Sequence, residues 1–254
     1  MLILLSPSKT LNEEPVETSQ SSICDFLEET KRLLPYLKKL SVKKLMSLMD
    51  ISEKLAELNH QRFQNFVLPE NQDQGKPAIH CFEGDVYQNM SPQIWDKTQT
   101  MYAQNSLRIL SGLYGMLKPY DQISAYRLEM GSGLKTTRGK NLYEFWGDRI
   151  TNKLNEEIKL LKHDLVINLA SIEYSSVVNP KKLNANWIQV DFKEIRDGQP
   201  KTIALNSKRA RGMMAQYLIM NQAQSLSDIK SFTQNGYLFH ESSSKPNHLI
   251  FIKP

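Results

Sequence analysis

The stretch Leu142-Tyr143-Glu144-Phe145-Trp146-Gly147-Asp148-Arg149-Ile150-Thr151-Asn152-Lys153-Leu154-Asn155-Glu156-Glu157-Ile158-Lys159-Leu160-Leu161-Lys162-His163-Asp164-Leu165-Val166-Ile167-Asn168-Leu169 decides the fold class. Leu142, Trp146, Ile150, Leu154, Ile158 and Leu161 recur every three or four residues, so the spacing predicts an amphipathic helix over 142–162. Directly after it, Leu165 to Leu169 is an apolar run of strand length. A helix feeding an apolar strand is the repeating unit of an α/β chain.

The same alternation extends in both directions. Leu2 to Leu5 reads as a short buried strand, ended by Ser6-Pro7-Ser8-Lys9-Thr10. Asn12 to Ser22 is polar and reads as a surface loop. Ile23, Phe26, Leu27, Leu33, Leu34 and Leu37 predict a helix over 22–40, with Pro35 as a kink or break. Ser41 is placed to cap a second helix carrying Leu45, Leu48 and Met49, and Ser52 a third carrying Leu55, Leu58 and Phe63. The turn Asp50-Ile51-Ser52 between them makes a helix-hairpin-helix-like unit rich in lysine. Ala78 to Phe82 and Leu107 to Leu110 read as strands, Trp95 to Gln104 as a helix, and Gly112 to Pro119 as a loop. Trp187 to Ile195 and Thr202 to Leu205 predict a hairpin around Asp197-Gly198, followed by a helix from Met213. Tyr237 to Phe239 and Leu249 to Phe251 predict a final strand pair. The expectation is one α/β domain (mixed α+β) over 1–254, built on a mixed sheet, with a helical excursion near 23–66.

The chain has 254 residues, 40% of them hydrophobic and 23% charged, which suits a globular domain with a sizeable core. A net charge of +5 favours acidic partners without specifying one. Cys24 and Cys81 have no CxxC partner, and the five histidines have no metal-ligand spacing. Neither a structural metal nor a cofactor is expected. The start Met1 to Pro7 is too short and lacks the basic leader of a signal peptide, and no window of ~18 apolar residues exists. The expected location is cytoplasmic, with no membrane partner.

Ser207-Lys208-Arg209-Ala210-Arg211-Gly212 places three cations in four positions, where a strand is expected to turn into a helix. Cations at a helix N-terminus oppose the dipole, so the turn reads either as an anion site or as a solvated basic turn paired with acids. Polar clusters also follow other predicted strands: Ser6, Ser8, Lys9 and Thr10; Asp85 and Tyr87; Ser111, Tyr114 and Lys118; Ser171, Glu173 and Tyr174. In a largely parallel sheet these endings share one edge, where ligands bind. Ser6 to Thr10 lacks the glycines of a phosphate loop. Tyr126-Arg127-Leu128-Glu129-Met130-Gly131 alternates like an edge strand, with Arg127 either paired to Glu129 or facing an anion. No catalytic motif stands out.

The chain is similar to the YaaA family of peroxide stress resistance proteins. The likeness lies in MLILLSPSKTL at the start, then FEGDVY, LSGLYGMLKP, YRLEMG, LYEFWGDRITNKLNE, VINLAS before Glu173-Tyr174, NPKKLN and SKRARGMM. These run in order along nearly the whole chain. The resemblance implies a cytosolic protein that aids survival of hydrogen peroxide by limiting free iron. It also implies an unusual mixed α/β fold, a basic cleft, and a helix-hairpin-helix element that binds duplex DNA, matched here by Ser41 to Phe66. One departure is the turn Asp50-Ile51-Ser52, which has an acid and no glycine.

Three functions compete. In the first, Lys9, Lys43, Lys44, Arg127, Lys208, Arg209 and Arg211 hold a DNA backbone or another anion without reading bases. In the second, the chain is an enzyme on a phosphorylated or nucleotide-like molecule, with Asp85, Tyr87, Glu129 or Tyr174 moving protons. In the third, Asp85, Glu129, Asp148 or Glu173 binds iron directly.

Overall fold

A computed structural model describes residues 1–18, 20–71 and 74–254; Ser19, in the expected Asn12 to Ser22 loop, lies outside them. The first strands are β1 (Leu2–Leu5) and the short β2 (Thr10–Leu11). Three helices follow: α1 (Leu27–Lys38), α2 (Val42–Met49) and α3 (Glu53–Gln64). Then come β3 (Lys76–Pro77), the single-turn α4 (Ala78–Cys81), β4 (Phe82–Glu83) and α5 (Lys97–Ser106). Next are β5 (Leu107–Ser111), β6 (Gly115–Leu117) and β7 (Gln122–Ile123). Helices α6 (Leu142–Trp146) and α7 (Arg149–Leu161) lead to β8 (Leu165–Asn168) and α8 (Ile172–Ser175). The chain ends with β9 (Asn186–Arg196), β10 (Gln199–Lys201), α9 (Ala204–Met220), α10 (Leu226–Lys230), β11 (Leu238–Phe239) and β12 (His248–Lys253).

The expected mixed α/β architecture is present. The main sheet runs β11-β12-β9-β8-β1-β5-β6, with β10 on β9. Its five central strands are parallel, and β6, β10 and β11 add antiparallel edges. Ile3 stands opposite Leu107 on one side and Ile167 on the other. Every residue of β1 is fully buried, as an apolar central strand covered on both faces requires. β9 instead alternates buried and partly exposed residues.

After β1 the chain crosses to β5 on one side of it; after β8, its neighbour on the other side, the chain goes on to β9. The connections leaving β1 and β8 therefore part in opposite directions, which opens a crevice beyond their carboxyl ends.

Several expected elements are confirmed in detail. Ser41 Oγ accepts the Lys44 N–H at 3.4 Å and caps α2. Pro35 sits inside α1. The hairpin between β9 and β10 turns on Asp197 and Gly198, both at positive φ, the requirement of a type I′ turn. The final strand pair is β11 with β12.

Others are corrected. Ala78 to Phe82 is a helical turn leading into a two-residue strand, because the run is too short for periodicity to choose between helix and strand. The 142–162 helix is two helices, broken at Gly147 with φ 49 and ψ −129, a conformation that only glycine adopts readily. Residues 112–119 hold β6, which folds back on β5. Ser52 occupies the N-cap of α3 without a side-chain cap bond. The helix expected from Trp95 begins at Lys97, because Asp96 forms a capping box with Gln99.

Residues 126–131 form no strand. Tyr126, Leu128 and Met130 are buried while Arg127 and Glu129 are half-buried, so the side chains alternate without the segment joining a ladder.

The largest correction concerns the basic run. Thr202 to Leu205 is not a strand, since α9 begins at Ala204. Lys208, Arg209 and Arg211 therefore lie in the second and third turns, where the amides are already bonded within the helix. They project from a helix side rather than crowning its end. One close contact fixes that helix: a Cβ at Gly212 would meet the Val86 carbonyl at 2.0 Å. Only glycine lets α9 pack so tightly on the segment that carries Asp85 and Tyr87.

Candidate functional site

Four of the five predicted polar endings meet in one cavity of about 390 Å³. Ser6 to Thr10 follow β1, Leu169 to Tyr174 follow β8, and Gly84 to Tyr87 follow β4; Lys208 and Arg211 come from α9. The volume is at the low end for small-ligand sites. Gly84 has φ +124, and a Cβ there would meet Ser8 Oγ at 2.8 Å, so glycine is needed to bring the β4 and β1 endings together.

The fifth ending stays away. Ser111 Oγ shares a hydrogen bond with the Tyr126 hydroxyl in the interior, and Lys118 Nζ pairs with Asp25 at 2.9 Å. β5 turns at once into β6, so its end faces the core rather than the crevice.

The charges are mostly committed. Lys9 Nζ lies 2.8 Å from Glu129 Oε2, and Arg127 Nη2 lies 3.0 Å from Glu129 Oε1. Arg127 and Glu129 thus form the structural pair that was one reading of the alternation, at the border of the cavity through Lys9. Asp85 Oδ1 stands 3.5 Å from Arg209 Nε. Glu173 Oε1 accepts the Gly131 N–H at 3.0 Å.

Lys208 and Arg211 differ. Among the described residues neither has a hydrogen-bond or ion-pair partner, and Arg211 Nε is buried and unsatisfied. Burial lowers the Arg211 pKa; Asp191 opposes this only at longer range, being held by His248 Nε2 at 2.8 Å.

The phenols proposed for proton transfer are engaged otherwise. Tyr87 donates to the Ser6 carbonyl at 2.8 Å. Burial pushes the Tyr87 and Tyr174 hydroxyls well up, so both stay protonated. Asp148 pairs with Lys182 at 2.6 Å, in contacts of its own. Among the described residues no group of three or more His, Cys, Asp and Glu is placed to hold a metal, so the direct iron site is not assembled.

Cys24 and Cys81 are both buried, and burial raises the Cys81 thiol to about 12 and Cys24 well above its ordinary value. Thiolate, the form that reacts with peroxide, is negligible at either position.

Lys43 and Lys44 stand on exposed α2, apart from the cavity. Lys44 borders a separate groove with Tyr36, Lys39, Leu134 and Lys135. No carboxylate pairs with Lys39, Lys43, Lys44 or Lys135 among the described residues. Lys135 was not singled out from sequence, because 90 intervening residues hide its approach to Lys44.

The family model described as "Peroxide stress protein YaaA" matches residues 1–243. The chain belongs to this family. A UPF0246 protein of Aliivibrio fischeri strain MJ11 is 42% identical over 252 residues, covering 99% of this chain and 97% of the relative. UPF0246 proteins of Colwellia psychrerythraea and of Legionella pneumophila strain Philadelphia 1 are 44% and 43% identical, each covering 100% of this chain and 99% of the relative. Membership of the YaaA family supports a role in peroxide stress. The described residues contain no helix long and apolar enough to cross a membrane.

Proposed function

We propose that this YaaA-family chain acts in peroxide stress by binding duplex DNA through its backbone, without reading bases, and so limits iron-dependent damage to it. The observation that carries the reading is the set of exposed cations without acid partners: Lys208 at the cavity mouth, and Lys39, Lys43, Lys44 and Lys135 around the α1–α2 groove. Free cations can neutralise phosphates and release the counterions condensed on the DNA, whereas those held by acids are already neutralised.

The two zones are near enough for one duplex. Gly131 touches Glu173 at the cavity, and Lys135 borders the groove. Four Cα steps separate them, at most about 15 Å, which is about four to five base-pair rises. Asp50, exposed at the α2–α3 turn, opposes a phosphate there. The effect on iron is indirect in this reading: the protein covers DNA rather than holding the metal.

The test is retention of duplex DNA by the purified chain across a salt series. Log K falls linearly with log salt, and Lys208→Ala with Lys44→Ala lowers that slope by about two. No salt-sensitive retention, or an unchanged slope in the double variant, overturns the reading.

A further inference from the structure

The cavity between the endings of β1, β4 and β8 is too small for a duplex segment, yet it is built for charge. Lys208 and Arg211 are three apart on α9 and so share one face, and both line the cavity. The other three cations around it, Lys9, Arg127 and Arg209, are balanced by three acids: Glu129, which Lys9 and Arg127 share, Asp85 beside Arg209, and Glu173, which lines the same cavity. The positive excess is thus confined to two side chains. One of them holds a buried nitrogen with no acceptor in the protein. A buried N–H donor lacking a partner costs stability unless something else supplies the acceptor. An arginine at a cavity wall supplies a planar, often bidentate, match to phosphate oxygens, and a neighbouring lysine adds a point charge.

We propose that this cavity binds a small phosphomonoester, its dianionic phosphate seated on Arg211 and Lys208. Two uncompensated positive charges match the two negative charges of such a group. The rest of the ligand lies against the wall bearing Ser8, Thr10 and Ser171. About 390 Å³ accommodates one sugar phosphate or nucleotide. This assignment does not rest on the DNA reading: the two share Lys208, but this one turns on Arg211, whose Nε is buried, while that reading turns on exposed lysines. The phosphate has two sources, a free metabolite or the 5′-terminal phosphate of a DNA strand.

The test is calorimetry on the full chain at physiological salt. The probes are inorganic phosphate, AMP, glucose 6-phosphate and a 5′-phosphorylated trinucleotide, each organic one beside its unphosphorylated counterpart. At least one phosphorylated probe binds one per chain and its counterpart does not. Arg211→Met weakens that binding about tenfold or more; Arg211→Lys retains part of it.

In the same experiment Arg211→Met raises the melting temperature of the unliganded protein, because it removes a buried N–H donor that has no acceptor. An arginine with a merely structural role would lower it. Lys208→Met, at an exposed position, weakens binding with the fold intact. Binding of the phosphorylated trinucleotide alone assigns the site to DNA ends; binding of AMP or glucose 6-phosphate assigns it to a metabolite. The proposal is overturned if no phosphorylated probe binds at millimolar concentration. It is also overturned if Arg211→Met binds like the parent or melts lower without ligand. Duplex retention by Arg211→Met, measured in parallel, reports separately on the DNA reading.

Discussion

Asp121 is fully buried, and its carboxylate accepts hydrogen bonds from Ser22 Oγ at 2.7 Å and from the Lys118 N–H at 2.8 Å. Burial is the largest influence and raises its pKa to about 6; the Ser22 and Lys118 hydrogen bonds and the Lys118 charge oppose it, and Asp25 adds to it. In the unfolded chain the group titrates near 3.8. Between those values the folded protein holds a proton that the unfolded chain has released. The resulting stabilisation is full below pH 3.8 and is lost as pH rises through about 6. A two-unit difference corresponds to roughly 3 kcal/mol. Asp121→Asn, which cannot ionise, removes this contribution. Denaturant unfolding at pH 4.5 and pH 7 is expected to show the parent losing about 2 kcal/mol relative to the variant as pH rises. Parallel pH dependence in the two proteins would rule this out. None of this was legible in the sequence, where Asp121 follows Pro119-Tyr120 in an apparent loop; burial depends on β7 and the Ser22 segment meeting around it.

At the scale of elements, what was legible depended on whether one local rule acted alone. The β1 run Leu2 to Leu5, the Asp197-Gly198 hairpin and the Ser41 cap each follow from chemistry within a few residues, and each is present. Where two rules agreed with different structures, the sequence misled. Trp146 and Ile150 keep helical spacing across Gly147, so periodicity hides the break between α6 and α7. Thr202 to Leu205 is apolar enough for a strand, but β10 ends at Lys201 and α9 starts two residues after Thr202. The strand-end argument holds for β1 and β8, whose parallel carboxyl ends lie together; it does not account for β4, which belongs to a separate antiparallel pair, or for the α9 cations, and it failed for β5, whose tight return to β6 is an antiparallel edge.

The α2–α3 turn offers a prediction at this scale. Asp50 closes α2 at φ 50 and ψ 60, the left-handed position that glycine favours. Asp50→Gly relieves about 1 kcal/mol of backbone strain and removes an acid from the proposed DNA face. The variant is expected to melt higher and to hold duplex DNA more tightly at the same salt. If it melts higher and DNA affinity stays fixed, the hairpin is not part of the DNA surface.

For the whole molecule, the question is whether the cavity mouth and the α1–α2 groove act as one surface. The segment Gly131 to Lys135 runs from one to the other. A duplex of about one helical turn is long enough to lie across both, since their connecting segment spans at most about 15 Å. Such a duplex is expected to bind one per chain, with a salt slope that sums both zones. Lys208→Ala then lowers the slope by about one, Lys44→Ala with Lys135→Ala by about two more, and the three together by about three. Additivity of this kind requires all three side chains to touch the same polyanion, because counterions released from one duplex are counted in one equilibrium. Two independent zones would behave differently: substitution in either zone would weaken only one of two binding events, and sedimentation would show two short duplexes on one chain. Titration of a short duplex to a stoichiometry of two, unchanged with a longer one, would separate the zones and leave the cavity as a site of its own.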